Sequence, residues 1–158
     1  MSSEESPSSP VVAAETVLST FLLIRLNEGR FFIPLEVVGR VIKPLEVFPM
    51  PDTPEFVLGV ANYSGEVLPV VDLKKVLLIP DLGGETGLKL VICRYLHVKV
   101  GFLVDDVIDA CEIDCGQIKA DNPKARASEF ISGEFIRDRD IIGIIDVAKI
   151  ITTYQAPL

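Results

Sequence analysis

Apolar residues in this chain gather in short runs broken by glycine and proline, not at the three-to-four spacing of long helices. "TFLLIRL" (20–26) is a continuous β-prone run. "NEG" turns it and "RFFIP" returns, which predicts a hairpin. "LEVVGRVI" sets Glu36 and Arg40 among aliphatics and reads either as a short helical turn or as the start of a strand. "KPLEVFPMPDTPEF" carries four prolines between Pro44 and Pro54. That forbids a regular helix and reads as an edge strand leading into a loop. "LKLVICRYL", "VKVGFLV", "VIDACEI" and "DIIGIID" are further strand patterns, with "PDLGGETG" as a flexible connector and "DNPKARAS" as a polar loop. The helix candidates are short: "DLKKVLLI" and "DVAKIITTY". Many short strands with Gly/Pro turns predict a mainly β chain built as one or two small barrels.

The pattern repeats. "PEFVLGVANYSGEVLPVVDLKKVL" (54–77) lies without a gap over "SEFISGEFIRDRDIIGIIDVAKII" (128–151), a shift of 74 residues. Glu55, Phe56, Gly59, Asp72 and Lys75 match Glu129, Phe130, Gly133, Asp146 and Lys149. A second pair, shifted by 70, sets "FIPLEVV" over "FLVDDVI" and Phe32 over Phe102. Polar and glycine positions match along with the aliphatics, so the chain reads as two similar units. Asp72 and Asp146 each end an apolar run and precede a helical pattern, where an N-cap carboxylate accepts bonds from free helical N–H groups. Gly59 and Gly65 bracket "VANYS" as bends of a small barrel. Pro69 removes one ladder donor, which predicts an edge or a bulge there.

Composition narrows the function. Apolar residues make up 49% and charged residues 24% of 158 residues, the range of a soluble globular chain. A net charge of −8 repels phosphate backbones and anionic membranes, so neither nucleic acid nor membrane insertion is expected. "MSSEESPSSPVVAAET" lacks the pattern of a signal peptide, and residues 1–17 read as a disordered tail. Three cysteines, Cys93, Cys111 and Cys115, fit reduced thiols and a cytoplasmic location. "CEIDC" offers two ligands where zinc wants four. His97 is the only histidine and has no partner for a metal or a triad. Asp105, Asp106 and Asp109 could hold a hard cation, but read as a solvated acidic turn. "LGGETG" lacks the Gly-Lys-Ser/Thr ending of a phosphate loop. No motif supports an enzyme, a cofactor or a metal.

"TPEFVLGVANYSGEVLPVVDL" resembles the signature of the CheW-like coupling proteins of bacterial chemotaxis, in which Gly-Val-x-Asn-x-Arg-Gly precedes Pro-Val-aliphatic-Asp-Leu. "FFIPLEVVGRVI", "VGFLVDDVIDA" and "IIGIIDVAKII" continue the likeness over about residues 20–153. The resemblance implies two intertwined, five-stranded, SH3-like β-barrel subdomains. These would fill a domain at 18–155, with subdomain one at about 20–80, a connector at 80–87 and subdomain two at about 88–153. It also implies a non-enzymatic adaptor that bridges the cytoplasmic tip of a chemoreceptor and a CheA-type histidine kinase. The receptor would lie in the groove between subdomains.

The partner-facing residues expected on this basis are Val38, Arg40, Phe48, Gly59, Ser64, Val107 and Gly133. Phe48, with Met50, either stands on an exposed loop or packs under the barrel. Two positions depart from the family. Ser64 stands where its arginine is expected, and Arg40 where an acidic residue is frequent. The alternatives are an adaptor for a non-flagellar pathway such as pilus motility, or a metal- or metabolite-binding sensor.

Overall fold

The strand Leu18–Leu26 (β1) is apolar on both faces because both faces are covered. Phe21 and Leu23 enter one core, while Leu22, Ile24 and Leu26 enter another. This explains a continuous apolar run where a half-exposed strand would alternate. In this computed structural model, which describes residues 16–83, 87–120 and 129–154, Gly29–Pro34 (β2) returns from β1 and a 3-10 turn follows at Leu35–Val37. Then come Val38–Ile42 (β3), Val57–Tyr63 (β4), Glu66–Asp72 (β5) and the helix Leu73–Val76 (α1). The second half supplies Lys89–Tyr95 (β6), Val98–Val104 (β7), Asp106–Asp114 (β8) and Lys119–Ala120 (β9). Ile131–Arg137 (β10), Asp140–Ile145 (β11) and the helix Val147–Tyr154 (α2) complete it. The tail read as disordered lies almost wholly outside the described residues, as do "DNPKARAS" and residues 84–86 of the connector.

The strands form two sheets. Sheet A runs β8-β1-β2-β11-β10-β9, and sheet B runs β3-β6-β7-β5-β4. Each sheet mixes the two halves of the sequence: β8 pairs with β1, and β3 pairs with β6. The chain therefore crosses between the sheets after β2 and again after β7. One central core joins them, with Ile24 and Ile33 of sheet A packed among Val91 and Cys93 of sheet B. Each sheet has a smaller core on its other face. Phe21, Phe32 and Phe135 sit in that of sheet A, and Ala61, Leu68, Leu90 and Ile92 in that of sheet B.

The expected five-stranded closed barrels are not found. Both sheets are open, and sheet A has six strands. The prolines account for much of this. The segment between β3 and β4 carries Pro44, Pro49, Pro51 and Pro54, which have no N–H to continue a ladder. Only an isolated bridge forms there, with Phe48 N–H donating to Val60 O at 2.8 Å and Val60 N–H to Phe48 O at 3.0 Å. Leu45 and Val47 cover the core of sheet B with side chains instead of backbone pairing. In sheet A, β9 has two residues and meets only Gly133 and Glu134. Pro69 lies in an interior strand, yet the ladder between β5 and β7 starts at Val70. The missing donor therefore falls just outside the pairing.

The repeated segments keep one backbone plan. β4 pairs with β5, and β10 with β11, through two-residue turns at 64–65 and 138–139. Each pair carries a register irregularity at the same place, between Val57 and Gly59 and between Ile131 and Gly133. Asp72 N–H donates to Phe56 O, and Asp146 N–H to Phe130 O, both at 2.8 Å.

Candidate functional site

Val38 and Val107 occupy matching places in the two sheets. Val38 pairs with Cys93 across β3–β6, and Val107 with Ile24 across β8–β1, each beside a bulge. Both are half-buried against the central core. They mark the seam where the sheets meet.

Phe48 and Gly59 form a second group. Phe48 is 53% exposed and bridges to the outer edge of β4. Its neighbour Val47 turns inward to the core of sheet B, while Met50 stays exposed. Gly59 has φ +145°, and a Cβ there would meet Phe48 O at 2.2 Å. Glycine is what allows the proline-rich segment to lie against β4. Gly133 serves sheet A similarly, since a Cβ would meet Lys119 O of β9 at 2.9 Å. Both glycines are buried and touch neighbouring backbone.

Ser64 sits at the exposed tip of the β4–β5 turn with φ +52°, followed by Gly65 at +85°. Asn62 Oδ1 accepts from Gly65 N–H at 2.9 Å and braces the turn. Arg40 is exposed on β3, opposite Ile92. It borders a cavity of about 150 Å³ with Gly39, Tyr63, Ile92, Arg94 and Lys99. Asp72 Oδ1 accepts from Lys74 N–H at 3.0 Å at the start of α1, and Asp146 Oδ1 from Lys149 N–H at 3.0 Å at the start of α2. The expected partner-facing residues thus fall in separate places: the seam, the β4 edge, the β10 edge of sheet A, the turn tip and one end of sheet B.

Sequence reasoning missed an ionic cluster. Lys74 and Asp105 are only 7% and 5% exposed, with Nζ to Oδ1 at 3.1 Å. Lys74 also reaches Asp81 at 3.2 Å and Asn27 Oδ1 at 3.4 Å. Asp105 Oδ2 accepts from Asn27 N–H at 2.6 Å, and Asn27 Nδ2 donates to Pro80 O at 2.6 Å. Burial disfavours the Lys74 ammonium, but Asp105 and Asp81 outweigh it and hold its pKa above the ordinary value. A backbone bond from Gly83, with Lys74 second, keeps the Asp81 carboxyl below its ordinary range. Asp105 is therefore not part of a solvated acidic turn. Asp106 and Asp109 instead accept from the next residue's N–H, Val107 and Ala110. The cluster ties α1 to the β1–β2 turn and to the link between β7 and β8.

Chemistry finds little footing. The Cys93 thiol is pushed up to about 12 by burial and is no nucleophile at neutral pH. Among the described residues, no three His, Cys, Asp or Glu side chains converge as a metal would require. No helix there is long and apolar enough to cross a membrane. The two sheets expose Phe48, Val67, Ile136 and Ile141, apolar side chains open to a partner protein, and so fit a recognition module.

The comparisons agree with that class. The CheW-like domain model matches residues 20–155. The chain is similar to the chemotaxis protein CheW of Thermotoga maritima, 29% identical over 82% of this chain and 85% of that one. It is also similar to CheW of Klebsiella aerogenes, 24% identical over 93% and 90%. The crystal structure of the scaffolding protein TtCheW from Thermoanaerobacter tengcongensis superposes with a TM-score of 0.75 at 29% identity, covering 82% of this chain and 89% of that one. The chain belongs to the CheW-like family, whose members are non-catalytic scaffolds of chemotaxis signalling that couple chemoreceptors to CheA-type kinases.

Proposed function

We propose that this chain bridges a chemoreceptor tip and a CheA-type kinase through separate surfaces, with the receptor at the seam between the sheets. The observation that carries this is the pair Val38 and Val107. They come from different sheets, stand at matching register positions and rest half-exposed on one shared core. An apolar ridge on a rigid base suits a helical partner, because anchors already fixed by packing lose little entropy on binding. Phe48 and Val67, 53% and 75% exposed beside the β4 edge, offer a second apolar surface for the kinase's regulatory domain. Ser64 presents a short hydroxyl where the family arginine would extend a fork of donors, so this chain's partner set differs from that of members with the arginine.

The test is binding of the full chain to a receptor cytoplasmic fragment and, separately, to the kinase's regulatory domain. Wild type should bind both. Val38→Asp with Val107→Asp should weaken receptor binding by about 2 kcal/mol or more and leave kinase binding unchanged. Failure to bind either partner, or indifference of the receptor to the double variant, overturns the reading.

A further inference from the structure

We propose that the open end of sheet B receives an acidic segment of a partner protein, gripped by Arg40, Arg94 and Lys99. The register brings these cations together from three strands. Arg40 lies opposite Ile92, and Arg94 lies opposite Lys99. Alternation along β6 puts Arg94 on the same face as Leu90 and Ile92, the face that carries the small core of this sheet. Because the sheet does not close, that core ends in a mouth. Tyr63 and Ile92 line the cavity of about 150 Å³ there, and a neighbouring depression of about 360 Å³ runs past Arg94, His97 and Lys99, with Glu66 and Val67 also lining it.

Two of the three charges are unspent. Among the described residues, Arg40 and Arg94 make no ion pair and no side-chain hydrogen bond; Lys99 has one partner, Glu66 at 3.3 Å on the surface. Adjacent like charges on one sheet face raise the free energy of the fold. They do so here in a chain of net charge −8, where acidic groups abound. A docked anion would relieve that repulsion.

The matching end of sheet A shows the alternative. There Arg25 and Arg30 face each other as Arg94 and Lys99 do. Arg25 donates to Asn27 O at 2.8 Å, and Arg30 pairs with Asp140 at 2.9 Å. Asp109, opposite Leu23, takes the register place that Arg40 holds in sheet B. Sheet A answers its cations internally, and sheet B leaves two without an answer.

The ligand chemistry follows. Two guanidinium groups offer forked donors that match carboxylates, while the half-buried ring of Tyr63 offers apolar contact to the stem of a glutamate. A nucleic acid would need a stripe of cations following several phosphates, and the acidic remainder of the chain would repel it. An acidic protein segment places its charge locally. The chemistry of this site rests on the geometry alone; only the partner's identity as a signalling protein rests on the adaptor reading.

The experiment titrates the full chain, at low salt, with a peptide of about a dozen alternating Glu and Ala residues, followed by amide chemical shifts. A Lys/Ala peptide and a single-stranded oligonucleotide of similar length serve as competitors. The acidic peptide should shift residues of β3, β6 and β7, weaken with added salt, and lose roughly tenfold or more in affinity with Arg40→Gln plus Arg94→Gln. Arg139→Gln, in the β10–β11 turn of sheet A and away from this site, should leave it unchanged. No binding of the acidic peptide, unchanged binding by the double variant, or stronger binding of the oligonucleotide overturns the proposal. The same double variant is measured against the receptor fragment and the kinase domain. Both partners binding while the peptide does not would remove the site and keep the adaptor. The peptide binding while neither partner does would remove the adaptor and keep the site.

Discussion

The hairpins β4–β5 and β10–β11 share a backbone plan, and the helices that follow them differ in what is added to a common apolar attachment. Each has its irregularity at the same glycine, its two left-handed turn residues and its 2.8 Å bond from the aspartate N–H back to a phenylalanine carbonyl. Beyond the aspartate they part. α1 has four residues; Leu73, Val76 and the following Leu77 are buried in the central core, and the buried Lys74–Asp105 pair is added to them. α2 has eight and is held by Val147, Ile150 and Ile151, with Tyr154 set against Phe56 and Phe130 at 4.5 and 5.8 Å. In the repeat, the counterpart of Lys74 is Ala148. Local hydrogen bonds preserve the hairpin, because losing one leaves a buried polar group unpaired. The apolar inward face recurs in both helices, so what is added to it, an ion pair in one and an aromatic stack in the other, is free to differ.

Breaking the ionic attachment should give the largest effect. Lys74→Met leaves the Asp105 carboxylate buried without its cation and should cost about 3–5 kcal/mol in denaturant melts. Adding Asp105→Leu should recover most of that loss, since a buried pair replaced by apolar groups is often neutral. If Lys74→Met melts like wild type, the ion pair adds nothing to the apolar attachment of α1 and the contrast with α2 is lost.

A second contrast lies in the central core. Cys93 of β6 and Ile24 of β1 hold matching register positions, opposite Val38 and Val107, and both are fully buried. Burial raises the Cys93 thiol from 9.0 to about 12. The folded chain then keeps a proton that the unfolded chain gives up. Stability from this source is full below pH 9 and falls as pH rises toward 12, by at most about 4 kcal/mol. The Lys74 ammonium acts in the same direction, its contribution being lost as pH rises past 10.5 and through the raised folded value. Cys93→Val should therefore flatten most of the alkaline slope and leave the Lys74 part. A slope unchanged by Cys93→Val would place its origin elsewhere.

The glycines extend the comparison to the sheet edges. Gly59→Ala puts a Cβ into Phe48 O at φ +145° and should cost about 2–4 kcal/mol. Gly133→Ala meets Lys119 O at 2.9 Å without a left-handed φ, and should cost about 1–2 kcal/mol. Equal losses would mean that both edges tolerate the same displacement.

What the sequence showed and hid follows the same division. The duplicated hairpins were legible because glycine and aspartate are needed at fixed backbone positions, and those letters recur. The adaptor class was legible from the motif those letters build. Crossing of strands between the sheets was implied only by the resemblance to intertwined subdomains, since β8 pairing with β1 depends on long-range contacts that no local pattern records. Asp105 was hidden by its neighbours. Beside Asp106 it reads as surface charge, and only the fold brings Lys74 to it. Barrel closure was expected both from the many short strands with Gly/Pro turns and from the family resemblance, although the prolines from Pro44 to Pro54 already argued against a continuous ladder there. Arg94 and Lys99 drew no attention, because a cation on a strand gains meaning only when the register sets it beside another.

The smallest effect should come from the turn tips, where the two hairpins use the same conformation with different residues. Residues 64 and 65 have φ of +52° and +85°, and residues 138 and 139 have +50° and +70°. A two-residue turn with both residues left-handed matches the twist of the strands it joins, and glycine tolerates it best. Sheet B has Gly65 at its second position, and sheet A has Arg139. A Cβ at Gly65 would meet nothing within 4 Å, so conformation alone decides the cost there. Gly65→Ala should therefore lower stability by about 1 kcal/mol, and Arg139→Gly should raise it by about 0.5–1 kcal/mol. Thermal melts of the two variants against wild type would show opposite shifts of a few degrees. A loss of stability in Arg139→Gly would mean that the arginine side chain contributes more through its contacts than its backbone strain costs, and the two turns would then be alike in shape only.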